Sequence, residues 1–161
     1  MSTAYLLIGG NLGDRKENLR KVVELINEQC GSLTKSSSIY ETAAWGMTEQ
    51  PSFLNQVLEI STSLNARQLL RKILKIEKDM GRIRKEKLGP RLIDIDILLF
   101  ENEIHDLQFL KIPHPEMQNR RFVLTPLAEI DAELMHPVFK KTIAQLLEEC
   151  PDLLNVKKYN S

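Results

Sequence analysis

The chain has 161 residues, is 42% hydrophobic and 27% charged, and carries 22 Lys+Arg against 22 Asp+Glu. That length fits one domain, able to bury roughly two-thirds of its unfolded surface. Zero net charge argues against a general nucleic-acid binder, and no stretch approaches the ~20 apolar residues of a membrane span. Cys30 and Cys150 lie far apart, with neither a C-x-x-C nor a metal-ligand spacing. They read as reduced core thiols of a cytoplasmic protein. With no charged leader, repeat or interdomain linker in view, a single domain over 1–161 is expected.

Residues 4–8 form a short apolar run, a buried strand, and the glycine-rich stretch 9–13 reads as a turn. It fits neither G-x-G-x-x-G nor the Walker pattern, so a structural turn is favoured over a phosphate loop. Asp14 with Glu17 reads as a capping pair, and Leu19, Val22, Val23, Ile26 and Cys30 follow at helical spacing until Gly31. Residues 33–43 read as a strand, 44–52 as a loop, and 53–64 as a second strand completing a hairpin. Asn65 and Gln68 suit the start of a helix whose apolar stripe is Leu69, Leu70, Ile73, Ile76 and Met80, with Glu77 near the stripe's edge. Gly81 ends it.

The stretch 89–100 alternates strictly through Ile93, Ile95 and Ile97, the signature of a strand. Side chains two apart on a strand share a face, roughly 6.6 Å apart. Asp94 and Asp96 therefore point together, with Ile93, Ile95, Ile97 and Leu99 behind them. Two carboxylates at that separation repel by roughly 2–3 kcal/mol at an effective dielectric of about 20. Arg91 is one candidate counter-charge. A hard divalent ion is the other, since carboxylates commonly share magnesium with substrate phosphates. The competing reading is an edge strand whose polar face meets water.

Beyond Phe100, a turn and residues 104–110 suggest a further hairpin, Pro113-His114-Pro115 is rigid, and 117–120 suits a short turn. Residues 122–130 read as a helix with Pro126 in its first turn, and 142–150 as a last helix. The order of elements suggests a ferredoxin-like α+β sandwich, helices on one face of a largely antiparallel sheet.

Five basic residues crowd 82–91 (Arg82, Arg84, Lys85, Lys87, Arg91) against Glu86 alone. Guanidinium forks beside paired carboxylates suit a phosphate-bearing ligand and its magnesium; a solvated charged turn is the plain alternative. His114, held between prolines, suits a phosphate hydrogen bond or a metal. Arg120 beside Phe122 joins a phosphate fork to an aromatic platform. Trp45, Phe53 and Phe122 could sandwich a flat ring, with Asn55 supplying directional hydrogen bonds; plain core packing competes.

Taken together, these residues resemble the 6-hydroxymethyl-7,8-dihydropterin pyrophosphokinases of folate biosynthesis. The resemblance runs through Gly9 with Asn11-Leu12-Gly13, Tyr40-Glu41-Thr42 and Gln50-Pro51-Ser52-Phe53-Leu54-Asn55. It continues through Glu77, Gly81-Arg82-Ile83-Arg84, the specific signature Gly89 to Asp96, Pro113-His114, Asn119-Arg120 and Phe122. It implies pyrophosphoryl transfer from ATP, with AMP leaving. By the same resemblance Asp94 and Asp96 hold two magnesium ions, with Arg82 and Arg91 among the catalytic groups. Glu77, Arg84, Arg91, Ile97, His114 and Arg120 line ATP. Thr42, Ala43, Trp45, Phe53, Asn55 and Phe122 meet the pterin. The loops around Trp45 and Lys85 resemble the family's mobile lids. Leu88 stands where the family usually has Trp, in a loop one residue short; Gly10 replaces Ser, and Arg121 a small residue. The resemblance implies small-molecule partners only, and a monomer or weak homodimer. Two rival readings remain: a metal-dependent phosphohydrolase using Asp94, Asp96 and His114, and an RNA-binding module using the basic patch.

Overall fold

The computed structural model describes residues 1–43, 51–81 and 92–159. Its main sheet is built on β1 (Ser2–Gly10), which pairs antiparallel with both β4 (Phe53–Thr62) and β5 (Asp94–Phe100). The outer side of β4 is shared by β2 (Ser32–Ser36) and β3 (Tyr40–Thr42). β8 (Lys157–Lys158) adds a last strand beyond β3. The strand expected over 33–43 is thus two strands with a break at 37–39. There Ser37 Oγ accepts the Val57 N–H, and Gln56 donates to the Ser37 carbonyl. Gly9 and Gly10, expected in a turn, are strand residues paired with Asn55 and Leu54. A separate hairpin, β6 (His105–Leu107) with β7 (Leu110–Ile112), follows β5.

Helices α1 (Arg15–Gln29) and α2 (Ala66–Asp79) pack on one sheet face. Both starts follow from their capping residues. Asp14 accepts the Glu17 N–H, and Asn65 with Gln68 closes a reciprocal capping box. Leu19, Val22 and Ile26 of α1 and Leu69, Ile73 and Ile76 of α2 bury against Ala4, Leu6, Ile8, Leu54, Leu58 and Ile60. The other face is covered by α3 (Arg121–Asp131) and α4 (Ile143–Glu149), whose apolar residues join Tyr5, Leu7, Val57, Leu98 and Leu99. The expectation of helices on one face alone is therefore corrected: every β1 residue from Ala4 to Gly10 is buried, so this strand alternates between two cores rather than between core and water. The sheet and helix pairs form a ferredoxin-like α+β fold with an added helical layer. Pro126 is the sixth residue of α3, in its second turn rather than its first, where it offers no N–H to the Phe122 carbonyl.

Register sets the face of every side chain on β5. Ile93, Ile95 and Ile97 join the α1/α2 core, as expected. Between Ile97 and Leu99 the ladder with β1 slips by one residue at Leu98, a β-bulge. Leu99 consequently lies in the α3/α4 core and Phe100 returns to the α1/α2 core, so Leu99 does not back the isoleucines.

His136 is 2% exposed. Its Nδ1 accepts the N–H groups of Val138 and Phe139, both at 3.2 Å, and its Nε2 has no partner among the described residues. Burial lowers its pKa, so the unfolded chain binds a proton that the folded chain refuses. Stability from this residue is complete above the unfolded pKa near 6.5 and is lost as pH falls from there through the depressed folded value. His136→Asn keeps an acceptor near Nδ1 but does not titrate. Urea unfolding between pH 7.5 and 5.5 should show a smaller loss of stability in that variant than in the parent chain.

Candidate functional site

The α3/α4 face of the sheet is only partly covered. Where the helices stop, three strands present one row: Asp94 on β5, Gly9 on β1 and Asn55 on β4, each opposite the next in register. Asp96 stands two rungs along, opposite Leu7, with the Ile95–Ile8 pair between. Because Ile93, Ile95 and Ile97 must bury on the opposite face, both aspartates are turned toward this one, partly exposed. Glu77 of α2, buried rather than at the edge of its stripe, accepts the Ile95 N–H at 2.8 Å. It satisfies an outward N–H of the edge strand between the two aspartates, and so fixes the stretch of strand that carries them.

Gly9 is the empty square in this row. A Cβ there would sit 2.4 Å from Asn55 Oδ1 and 2.9 Å from the Leu54 carbonyl oxygen. Glycine thus permits the Asn55 side chain to lie across β1. Asn55 is 5% exposed, and its Nδ2 donates to Thr42 Oγ1 at 3.4 Å. Thr42 is opposite Phe53, and Tyr40 opposite Asn55, so Thr42, Phe53 and Asn55 share the aspartates' face. Ala43 follows at the exposed end of β3.

His114 enters from the segment before α3. Its N–H donates to the Leu98 carbonyl at 3.0 Å, which ties it to the bulge of β5. The ring's Nδ1 accepts the Glu116 N–H at 3.2 Å, so the neutral ring carries its proton on Nε2 and can donate there. Burial holds its pKa down, Asp96 and Glu116 pull it up, and Arg120 pushes it further down. Arg120 lies over the Phe122 ring, 5.8 Å from its centroid.

The structure therefore brings Asp94, Asp96, His114, Arg120, Phe122, Thr42, Phe53 and Asn55 to one end of one face. Ile97 is not among them; its side chain is buried on the α1/α2 side. Trp45, Arg82, Arg84 and Arg91 lie outside the described residues. Among the described residues no three His, Cys, Asp or Glu side chains converge as a metal cage. A cavity of about 490 Å³ bordered by Tyr5, Glu59 and Glu101 opens at the other end of β1, away from this constellation. Gly9's role and the buried position of Glu77 were not apparent from sequence; the first needed the register of three strands, the second the packing of α2 on the edge of β5.

A row of hard oxygen donors beside a histidine N–H and an arginine suits a phosphate chain; the amide of Asn55 with Phe53 and Phe122 suits a flat, hydrogen-bonding ring. The sequence model of the 7,8-dihydro-6-hydroxymethylpterin-pyrophosphokinase family matches residues 5–132. The chain is 43% identical over 149 residues to the 2-amino-4-hydroxy-6-hydroxymethyldihydropteridine pyrophosphokinase of Aquifex aeolicus, spanning 92% of each chain. It is 48% identical over 128 residues to the Bacillus subtilis protein of the same name, spanning 79% of this chain and 77% of that one. Among solved structures, Plasmodium falciparum HPPK-DHPS with pteroate matches 92% of this chain with a TM-score of 0.75 at 16% identity, a likeness of fold. This chain spans 42% of that longer one. The chain belongs to the 7,8-dihydro-6-hydroxymethylpterin-pyrophosphokinase family.

Gly9→Ala should destabilise the fold by about 1–3 kcal/mol through overpacking. Asn55→Ala in the same chain should recover part of that loss, because it removes the Oδ1 contact while the Leu54 carbonyl contact stays. A double-mutant cycle by chemical denaturation checks this; strictly additive losses would place Asn55 away from Gly9.

Proposed function

We propose that this chain, as a single domain over 1–161, catalyses ATP-dependent pyrophosphoryl transfer to 6-hydroxymethyl-7,8-dihydropterin in the cytoplasm, a step of folate biosynthesis. The observation that carries the reading is the single row Asp94–Gly9–Asn55. It sets a carboxylate pair and a ring-reading amide on one face, one empty square apart.

The pterin hydroxyl oxygen attacks the β-phosphorus of ATP. The bond between that phosphorus and the oxygen bridging to the α-phosphate breaks, AMP leaves, and the hydroxyl proton passes to solvent. Asn55 and Thr42 orient the heterocycle by hydrogen bonds, Phe53 and Phe122 stack on it, and Ala43 and Trp45 border it. Arg82, Arg84, Arg91, His114 and Arg120 neutralise the phosphate chain, His114 through its Nε2–H, while Glu77 holds the Ile95 N–H of β5 from the outer edge and the Ile97 side chain lies in the α1/α2 core. Asp94 and Asp96 fit a hard divalent ion by chemistry and placement, and the absence of a third protein ligand among the described residues suits a metal completed by phosphate oxygens. Two magnesium ions held there would offset charge along the triphosphate and lower the pKa of the attacking hydroxyl. With no strong base required, most of the acceleration comes from alignment and fixed positive charge. Among the described residues no helix is long and apolar enough to cross a membrane, and both cysteines are buried and unpaired, as a reducing compartment leaves them.

Incubation with ATP, magnesium and the hydroxymethyl pterin should yield AMP only when the pterin is present. AMP or ADP in its absence would instead indicate a phosphohydrolase. Asp96→Ala should keep its circular dichroism but lose at least ~10²-fold in turnover, the ~3 kcal/mol scale of one lost transition-state contact. Near-normal turnover in a folded variant would remove Asp96 from the metal site.

A further inference from the structure

Arg15, the first residue of α1, reaches the opposite side of the sheet from Asn55 and Thr42. Its Nη1 donates to Glu41 Oε2 at 3.2 Å, to the Ser52 carbonyl at 2.9 Å and to Ser52 Oγ at 2.9 Å. Ser52 Oγ in turn donates to the same Glu41 oxygen at 2.6 Å. Glu41 immediately precedes Thr42 on β3 and Ser52 immediately precedes Phe53 on β4, and Thr42 and Phe53 form the last rung between these strands. Alternation puts Glu41 with Leu54 on the α1 face, while Thr42, Phe53 and Asn55 face the site. The guanidinium therefore cannot touch a ring bound there. It binds the backs of the two strands that carry the ring's contacts.

The carboxy-terminal segment closes over this clasp. Asp152 receives the backbone N–H and the Nε–H of Arg121, through a carboxylate oxygen at 3.1 Å and its carbonyl at 2.9 Å. The chain then runs to β8, where Lys157 pairs with Glu41 and Lys158 with Tyr40. The Tyr159 N–H donates to the Ile39 carbonyl at 2.8 Å, and its ring lies 5.6 Å from the Arg15 guanidinium. The Glu41 carboxyl is held below its ordinary pKa, chiefly by the Ser52 hydroxyl, with Arg15 and Lys157 adding to it. None of this segment falls within the 5–132 stretch that matches the family.

We propose that Arg15 is a positioning residue for the pterin end of the site, held in place by the carboxy-terminal strand β8 and Tyr159. The inference rests on the pterin assignment above. Arg15 fixes the spacing of β3 against β4, and hence of Thr42 against Phe53 and Asn55, without reaching the ATP side.

Steady-state kinetics of the full chain, varying pterin at saturating ATP and then the reverse, test it. Arg15→Ala should raise the KM for pterin about tenfold, a loss in the range that small misplacement produces. The KM for ATP and kcat should stay within about twofold, because uniform binding of one substrate is what has been lost. Tyr159→Leu should shift the same constant less, and should add nothing on top of Arg15→Ala. Glu41→Ala should follow Arg15→Ala, whereas Glu41→Gln, which keeps an acceptor for Arg15 and Ser52, should restore most of the pterin affinity. A folded Arg15→Ala variant with unchanged pterin KM, or with equal losses for ATP, overturns the inference and leaves the function standing. Should Arg15→Ala fail to fold, Tyr159→Leu and Glu41→Ala decide by the same split. A parent chain that forms no AMP with pterin overturns the functional reading and this inference with it.

Discussion

The register between β1 and β5 is the constraint on which the site depends. A strand's side chains alternate, so a slip of one residue would send Asp94 and Asp96 into the α1/α2 core and three isoleucines to the open face. Burying an unpaired carboxylate costs several kcal/mol even after relaxation, against a total stability of about 5–15 kcal/mol for a domain. The register is held from several directions. Gly9 pairs with Asp94 on one side and Asn55 on the other, the isoleucines fill the core, and Glu77 satisfies the Ile95 N–H at the strand's outer edge. The same hydrophobic requirement that folds the sheet thus aims the carboxylates.

The bulge at Leu98 extends this logic. Up to Ile97 the face shared with α3 and α4 must stay open for the aspartates; beyond it that face must be filled. One extra residue lets Leu98 and Leu99 both bury there while Phe100 returns to the first core. The Leu98 carbonyl then accepts the His114 N–H, bringing the histidine ring to where it feels Asp96. A device that ends the polar part of the strand also delivers the next polar group to it.

Much of this was legible in the sequence because local rules and tertiary packing agreed. The Ile93–Ile97 alternation, the Asn65–Gln68 capping box and the pairing of Arg120 with Phe122 each depend on neighbours a few residues apart. What escaped depended on distant partners. Residues 33–43 look like one β-rich run, and only the Ser37 hydrogen bonds to β4 show why it breaks. Gly9 and Gly10 carry turn composition, yet both are strand residues, and at Gly9 a side chain would collide with Asn55 and the Leu54 carbonyl of β4. The second helical layer escaped because the alternation of β1 is hidden by apolar residues on both faces. The two-residue β8 has no periodicity to read.

Helix α3 explains why half of its face is core and half is site. Its carboxy-terminal part is pinned to the sheet by two tyrosine–carboxylate contacts: Tyr40 donates to Glu129 at 2.9 Å, and Tyr5 lies 2.5 Å from Asp131. Burial, with Asp131 and Glu59 beside it, raises the Tyr5 pKa and keeps its proton in place. Val123, Leu124 and Leu127 fill the core between these pins and the helix start. A helix held this way offers its first turn to the open end of the face, where Arg120 and Phe122 sit, while Arg121 turns instead to Asp152. The Arg120–Phe122 pair is therefore placed by Val123 and Leu124 beside it together with the pins at Glu129 and Asp131. Phe122 itself packs against that core, so the group that would stack on a ligand and the groups that fold the helix onto the sheet belong to one continuous layer.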